Sequence, residues 1–246
     1  MTADEAAGQA AAGVVTQQPV AMAIHARGLV AAHGLRPVLR DLDLDIPAGA
    51  TVALLGGNGT GKSTLLRLLA GLRSPRAGTL TVLGHALPAE RWALRGQVGL
   101  VAHHPLLYKE LTVAENLRYH AGLHGLPASR VHEVIAMAEL EPRADQPVAA
   151  LSRGLVQRAS VARALLADPP LLLLDEPLAN LDPVVAELVG RLLGPREGRT
   201  RVIASHDPAR ALDEADHVIV LGNDARPSYV GAANAITVPQ VEAMYR

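Results

Sequence analysis

The 246-residue chain has no cysteine and no phenylalanine, and only one tryptophan and four tyrosines. Without cysteine, neither disulfides nor thiolate metal sites can contribute to its stability or chemistry. With aromatics at 2%, the 49% apolar fraction is almost wholly aliphatic, so the core must be packed from interdigitating Leu, Val, Ile and Ala. Charge of one sign is lacking too: 23 basic residues face 24 acidic ones, for a net charge of -1. That balance provides no clustered basic footprint, and no nucleic-acid partner is expected. No apolar run reaches the roughly 18 to 20 residues that span a bilayer, so any membrane association must be peripheral. Met1 to Glu5 carries acid where a secretory signal carries base, and residues 1–22 read as a disordered tail before one large α/β unit, residues 23–246.

What is present alternates strand and helix signals. Met22 to Ile46 runs in short apolar and polar alternations broken by Gly34 and Pro37, which predicts a small antiparallel sheet. Thr51 to Leu55 reads as a buried strand, followed by a glycine loop and a helix over Lys62 to Ala70. Val98 to Ala102 reads as another strand. Val113 to Leu123, Arg130 to Leu140 and Arg158 to Ala167 carry helical periodicity, so the middle, roughly 103–160, is predicted to be a helical insertion. Asp168-Pro169-Pro170 is a helix stop, and Leu171 to Leu174, Arg201 to Ser205 and His217 to Leu221 then read as covered parallel strands. Strands separated by helices predict a doubly wound, mostly parallel sheet with ligands at the carboxyl ends of its strands.

Gly56-Gly57-Asn58-Gly59-Thr60-Gly61-Lys62-Ser63 matches the P-loop pattern and lies between a strand and a helix, the context that pattern requires. Gly56, Asn58, Gly59, Thr60 and Gly61 would turn backbone N–H groups toward an anion, and the helix carrying Lys62, Ser63 and Thr64 would add its positive end. Lys62 is expected to reach the β and γ phosphates, and Ser63 to offer a hydroxyl to Mg²⁺. ATP or GTP binding follows. A glycine-rich turn that binds nothing would leave the lysine, the hydroxyl and the flanking elements unexplained.

After four leucines come Asp175 and Glu176, at the strand end where the nucleotide would lie. Asp175 is expected to hold Mg²⁺ through water, and Glu176 to orient and polarise the attacking water as a general base. Ser205-His206-Asp207 follows another short strand, so His206 also emerges at the ligand edge, either to contact the γ phosphate or as an ordinary loop residue.

Leu151-Ser152-Arg153-Gly154-Leu155-Val156-Gln157-Arg158, just before a helix, resembles the signature of ABC ATPases. The resemblance extends from Met22 onward with the motifs in the family's order. It implies a P-loop NTPase of ABC type, with a RecA-like core, an antiparallel β subdomain and an inserted helical subdomain. It further implies that Ser152 and Gly154 complete the ATP site of a second, identical subunit, with Ala179-Asn180-Leu181-Asp182 linking the two sites through Asp182. ATP and Mg²⁺ as cofactors, an integral membrane permease as partner and a place on the cytoplasmic face of the cell membrane follow from the same likeness.

Four positions depart from the family's pattern. Arg153 replaces a glycine and Leu155 a glutamine of the signature. His103 stands where the family has the glutamine that senses Mg²⁺ and the attacking water, and imidazole adds a pH dependence that an amide lacks. His33 occupies the place of the aromatic residue that stacks on adenine. His103, followed by Leu111-Thr112-Val113-Ala114-Glu115-Asn116-Leu117, is similar to the haem exporter ATPases of cytochrome c maturation, which implies haem export. The alternatives are another exporter, of drug, lipid or polysaccharide, and an ABC ATPase acting on DNA or ribosomes. His120 and His124, one helical turn apart, lack a third ligand and read as a solvated helix face. Leu106-Leu107-Tyr108 reads either as a dock for a permease helix or as ordinary packing.

Overall fold

Two antiparallel strands, β1 (Met22–His33) and β2 (Arg36–Pro47), open the fold in a computed structural model that describes residues 21–245. Met22 already pairs with Pro47, so the expected tail ends before it; residues 1–20 lie outside the described residues. On β2 the buried side chains Leu42, Leu44 and Ile46 alternate with exposed aspartates, as a half-buried strand demands. β4 (Ala77–Val82) and β5 (His85–Leu87) extend the sheet to the order β2-β1-β4-β5.

The second sheet has six strands. β3 (Thr51–Gly56), β6 (Val98–Val101), β7 (Leu171–Asp175), β8 (Thr200–Ala204), β9 (His217–Leu221) and β10 (Pro227–Ala232) lie in the order β10-β9-β3-β8-β7-β6. All neighbours are parallel except β10, antiparallel on its edge. Every residue of β3 and β7 is buried, which is why both read as continuous apolar runs rather than alternations. The registers Gly56↔Leu221, Leu54↔Ala204 and Asp175↔Ala204 bring the carboxyl ends of four strands to one edge.

Helix α1 (Lys62–Leu69) lies between the sheets, its leucines in the largest core cluster. The helical insertion holds α2 (Val113–Leu123), α3 (Ala128–Met137) and α4 (Arg153–Leu165) around a separate core of Val113, Leu117, Val134 and Leu140. Thr112 starts α2 with a full capping box, accepting from Glu115 N while the Glu115 carboxylate accepts from Thr112 N. α4 begins at Arg153 rather than Arg158, because the Ser152 hydroxyl caps it by accepting from Leu155 N. α5 (Pro183–Leu193), α6 (Pro208–Glu214) and α7 (Val238–Ala243) complete the chain. Among the described residues, no helix is long and apolar enough to cross a membrane.

Candidate functional site

The loop between β3 and α1 needs glycine at two of its positions. Gly56 has φ +147, and a Cβ on it would lie 2.7 Å from Leu221 O; Gly61 has φ +109, and its Cβ would lie 2.6 Å from Val38 O. The loop crest at Asn58 and Gly59 is exposed, and Thr60 braces it from beneath by donating to Gly57 O at 3.0 Å. Lys62 is buried under the crest, its ammonium donating to Gly56 O at 2.7 Å and Gly57 O at 3.0 Å. Burial pushes its pKa below the usual lysine value, while the nearby charges of Glu176 and Asp175 pull it back up. No acidic side chain occupies the first turn of α1, so its N–H groups add their positive potential to that of Lys62.

Across from the loop, β7 ends in the buried Asp175 carboxylate. Glu176 follows in a left-handed backbone conformation, φ +52, which is unusual outside glycine. The chain holds it there through Glu176 N donating to Ala204 O at 3.1 Å and Ala179 N donating to Glu176 O at 3.1 Å. That turn aims the carboxylate at the end of β8, where it meets the His206 ring Nε2 directly. Lys62, Asp175, Glu176 and His206 therefore converge from three strand ends. Ser63 and Asp175 supply hard oxygen donors beside Lys62, a donor set that fits Mg²⁺.

His33 comes to this edge from the other sheet, with its Nε2 3.2 Å from Thr64 Oγ1 on α1. Sequence reasoning missed its neighbour Arg73, whose Nη1 lies 3.1 Å from His33 Nδ1 and whose Nη2 also donates to Ala32 O. Nη1 is also 3.3 Å from His33 Nε2, so the guanidinium sits over the imidazole ring and fixes its orientation. Only the fold reveals it, since 40 residues separate the two side chains.

The other predicted residues are not brought to this cluster. Among the described residues, no hydrogen bond or ion pair joins Ser152, Gly154, Asp182 or His103 to the loop or to the Glu176–His206 pair. Ser152 caps α4, and Asp182 caps α5 by accepting from Val185 N at 3.0 Å. A Cβ on Gly154 would stand 3.3 Å from Val185, so the starts of α4 and α5 abut. Gln157 Nε2 donates to Pro177 O at 2.7 Å, which ties α4 to the turn carrying Glu176. Leu155 packs against the helical core, so its apolar side chain is explained by burial. Arg153 is exposed, and nothing in the structure explains it.

His103 is exposed after β6, in edge contact with His104 at 5.2 Å between ring centroids. His120 and His124 correct an expectation: they are half-buried, not a solvated face, and sit with Arg163 on a small cavity of about 40 Å³. Burial first, then the charges of Arg163 and His124, lower the His120 pKa to about 4. A guanidinium in that place opposes a metal ion, and no metal-binding group of side chains occurs among the described residues.

The family model for ABC transporters matches residues 39–179. The chain belongs to the ABC transporter family. It is 36% identical, over 80% of its own length and 63% of the relative's, to a Nod factor export ATP-binding protein of Ralstonia nicotianae. It is 34% identical, over 92% of itself and 68% of the relative, to a sulfate/thiosulfate import ATP-binding protein of Vibrio vulnificus. The chain thus spans about 63% of the first of these relatives. A solved ATP-binding subunit of an ABC transporter superposes with TM-score 0.80 at 26% identity, covering 89% of this chain and 98% of that one. An ATP-binding cassette solved as a dimer after hydrolysis, with ADP and Pi, gives TM-score 0.77 at 26% identity, covering 85% and 98%.

Proposed function

We propose that the chain is the ATP-binding and ATP-hydrolysing subunit of an ABC transporter, working as a homodimer beneath an integral membrane permease on the cytoplasmic face of the membrane. One observation carries this reading. The phosphate loop, Asp175, Glu176 and His206 converge within one chain, while the Ser152–Gly154 segment at the start of α4 stays unlinked to them. Two copies placed head to tail would set each signature against the other's phosphate loop, as expected for a likeness to a cassette solved as a dimer.

In this reading Glu176 accepts the proton of the attacking water, and His206 fixes the carboxylate that does so. Gly56 to Ser63 and Lys62 hold the phosphates, and His33 with Arg73 flanks the base. Mg²⁺ bound by Ser63 and Asp175 would neutralise phosphate charge. Asn116, fully buried, anchors the neighbouring segment by bonding both Tyr108 N and Tyr108 O, at 2.8 and 3.0 Å. Leu106 and Tyr108 are thereby held exposed, which favours the permease dock over ordinary packing. The decisive experiment is gel filtration of Glu176→Gln with and without ATP: an ATP-dependent dimer holding two nucleotides is expected, and a monomer at every ATP concentration would overturn the composite site.

For the cargo we propose haem export, supported by His103 and the Leu111–Leu117 stretch. The identity to Nod factor export proteins favours a second reading, an exporter of another cargo. Pulling the chain from native membranes in mild detergent separates them: haem absorbance with a co-purifying permease supports the first, and a haem-free permease the second.

A further inference from the structure

Strand β8 is central, bonded to β3 on one side and β7 on the other, and a central strand of a mainly parallel sheet is normally covered on both faces. On one face Val202 and Ala204 are buried in the main core. On the other face Ile203 is only partly buried. There α5 covers the β6–β7 side through Val189 and Leu193, and α6 and α7 cover the β3–β9 side through Ala211 and Val241. Between them the sheet is left open by a cavity of about 680 Å³. Its floor is apolar, with Ala53, Leu174 and Ile203, and the Glu176–His206 pair closes one end. No residue of the phosphate loop lines it.

The charges around this cavity favour a cation. Two guanidiniums line it, and both are engaged. Arg201 is buried, donates to Thr51 Oγ1 at 3.0 Å and Leu193 O at 3.2 Å, and lies 3.7 Å from Glu214. Arg210 lies 3.3 Å from the same carboxylate. Four carboxylates line it: Glu176, Asp207, Asp213 and Glu214. Asp213, exposed at the rim, makes no hydrogen bond or ion pair among the described residues.

We propose that this cavity is a regulatory site for an amphipathic organic cation, an aromatic or alkyl body carrying a primary amine, that acts on the Glu176–His206 pair from behind. Its size is that of a site for a drug-sized ligand, apolar with a few placed polar groups. The apolar body would cover Ile203, and the amine would answer the unpaired carboxylate. Because the phosphate loop is not part of the wall, occupancy would change turnover and leave ATP affinity alone. The effect on turnover rests on the proposed ATPase function; the binding does not.

The test uses dansylcadaverine, a fluorescent naphthalene sulfonamide with a free alkylamine, on the whole chain, beside the same body ending in a carboxylate. Gly190, on α5, lines the cavity, and a Cβ there would meet only Arg210 Nη2, at 3.9 Å, so Gly190→Leu directs apolar bulk into the cavity. The amine probe is expected to brighten and shift blue on binding, with affinity about tenfold weaker in Gly190→Leu and about fivefold weaker for the carboxylate analogue. Ala211→Leu repeats the cavity-filling arm should Gly190→Leu fail to fold. At saturating probe, kcat is expected to fall at unchanged KM for ATP. Equal binding by the filled variants, equal binding of the carboxylate analogue, displacement of the probe by ATP, or an unaltered kcat would each overturn the proposal. Absence of turnover in probe-free protein would overturn the ATPase reading instead, and the binding arms would still decide the site.

Discussion

The two ends of the nucleotide machinery are built differently. The phosphate end is assembled inside one chain: Gly56 to Lys62, Asp175, Glu176 and His206 arrive from adjacent parallel strands whose registers set them side by side. The signature end is joined to it through Gln157 on α4 and Pro177 O, while Ser152 and Asp182 use their side chains to cap α4 and α5. The first end has internal partners for its charges, and the second presents its helix start outward. What separates them is topology. Strand ends of a single sheet must meet, whereas the start of α4 belongs to an insertion with its own core.

The contrast breaks most visibly at Glu176. Glu176→Gln is expected to lower ATP turnover by about 10² to 10⁴ while leaving nucleotide binding intact, and unchanged turnover would remove its role as base. Ser152→Arg is expected to cost about a hundredfold in turnover with normal binding to the single chain. Lys62→Ala should fail at binding itself. Mixing Lys62→Ala with Ser152→Arg in equal amounts should restore up to about a quarter of the sites, since half of random dimers carry one intact composite site. No recovery would mean that the two ends do not meet across a dimer.

A smaller effect separates the helical insertion from the sheet. The His120 pKa of about 4 in the folded chain lies below the ordinary value of 6.5, so the unfolded chain holds more protons between those limits. The stability this histidine contributes is present above pH 6.5 and lost as pH falls toward 4. Denaturant titrations at pH 7 and pH 4.5 should show a loss from this group of about 1 to 2 kcal/mol, allowing for its partial exposure, that His120→Leu abolishes. Identical acid sensitivity in both proteins would show that His120 titrates normally. Smallest of all, Arg73→Ala should raise KM for ATP about threefold without touching kcat, because the guanidinium that holds the His33 ring in place is lost. A change in kcat instead would place Arg73 nearer the chemistry than the base.

Much of this was legible along the chain, and the exceptions have physical causes. The buried strands β3, β7 and β9 announced themselves because a parallel strand covered on both faces must be continuously apolar. β10 did not, because as an edge strand it alternates half-buried with exposed residues and begins at a proline. α5 and α6 were overlooked although both carry a readable start, Asp182-Pro183 and Asp207-Pro208, an aspartate cap before a proline at the first helical position. The helical face of His120 and His124 was misjudged because periodicity tells which residues share a face and not what lies against it. Arg163, on α4, supplied the answer.

By itself, then, the sequence determined the phosphate loop, the acids after the leucines and the order of the family's motifs. These depend on backbone freedom and residue type within a few consecutive positions. Only the tertiary structure decided that His206 meets Glu176, that Arg73 joins His33 and that Ile203 stands partly uncovered beside the Glu176–His206 pair. Each of these depends on strand order and register, which bring together residues distant along the chain and which no local preference specifies.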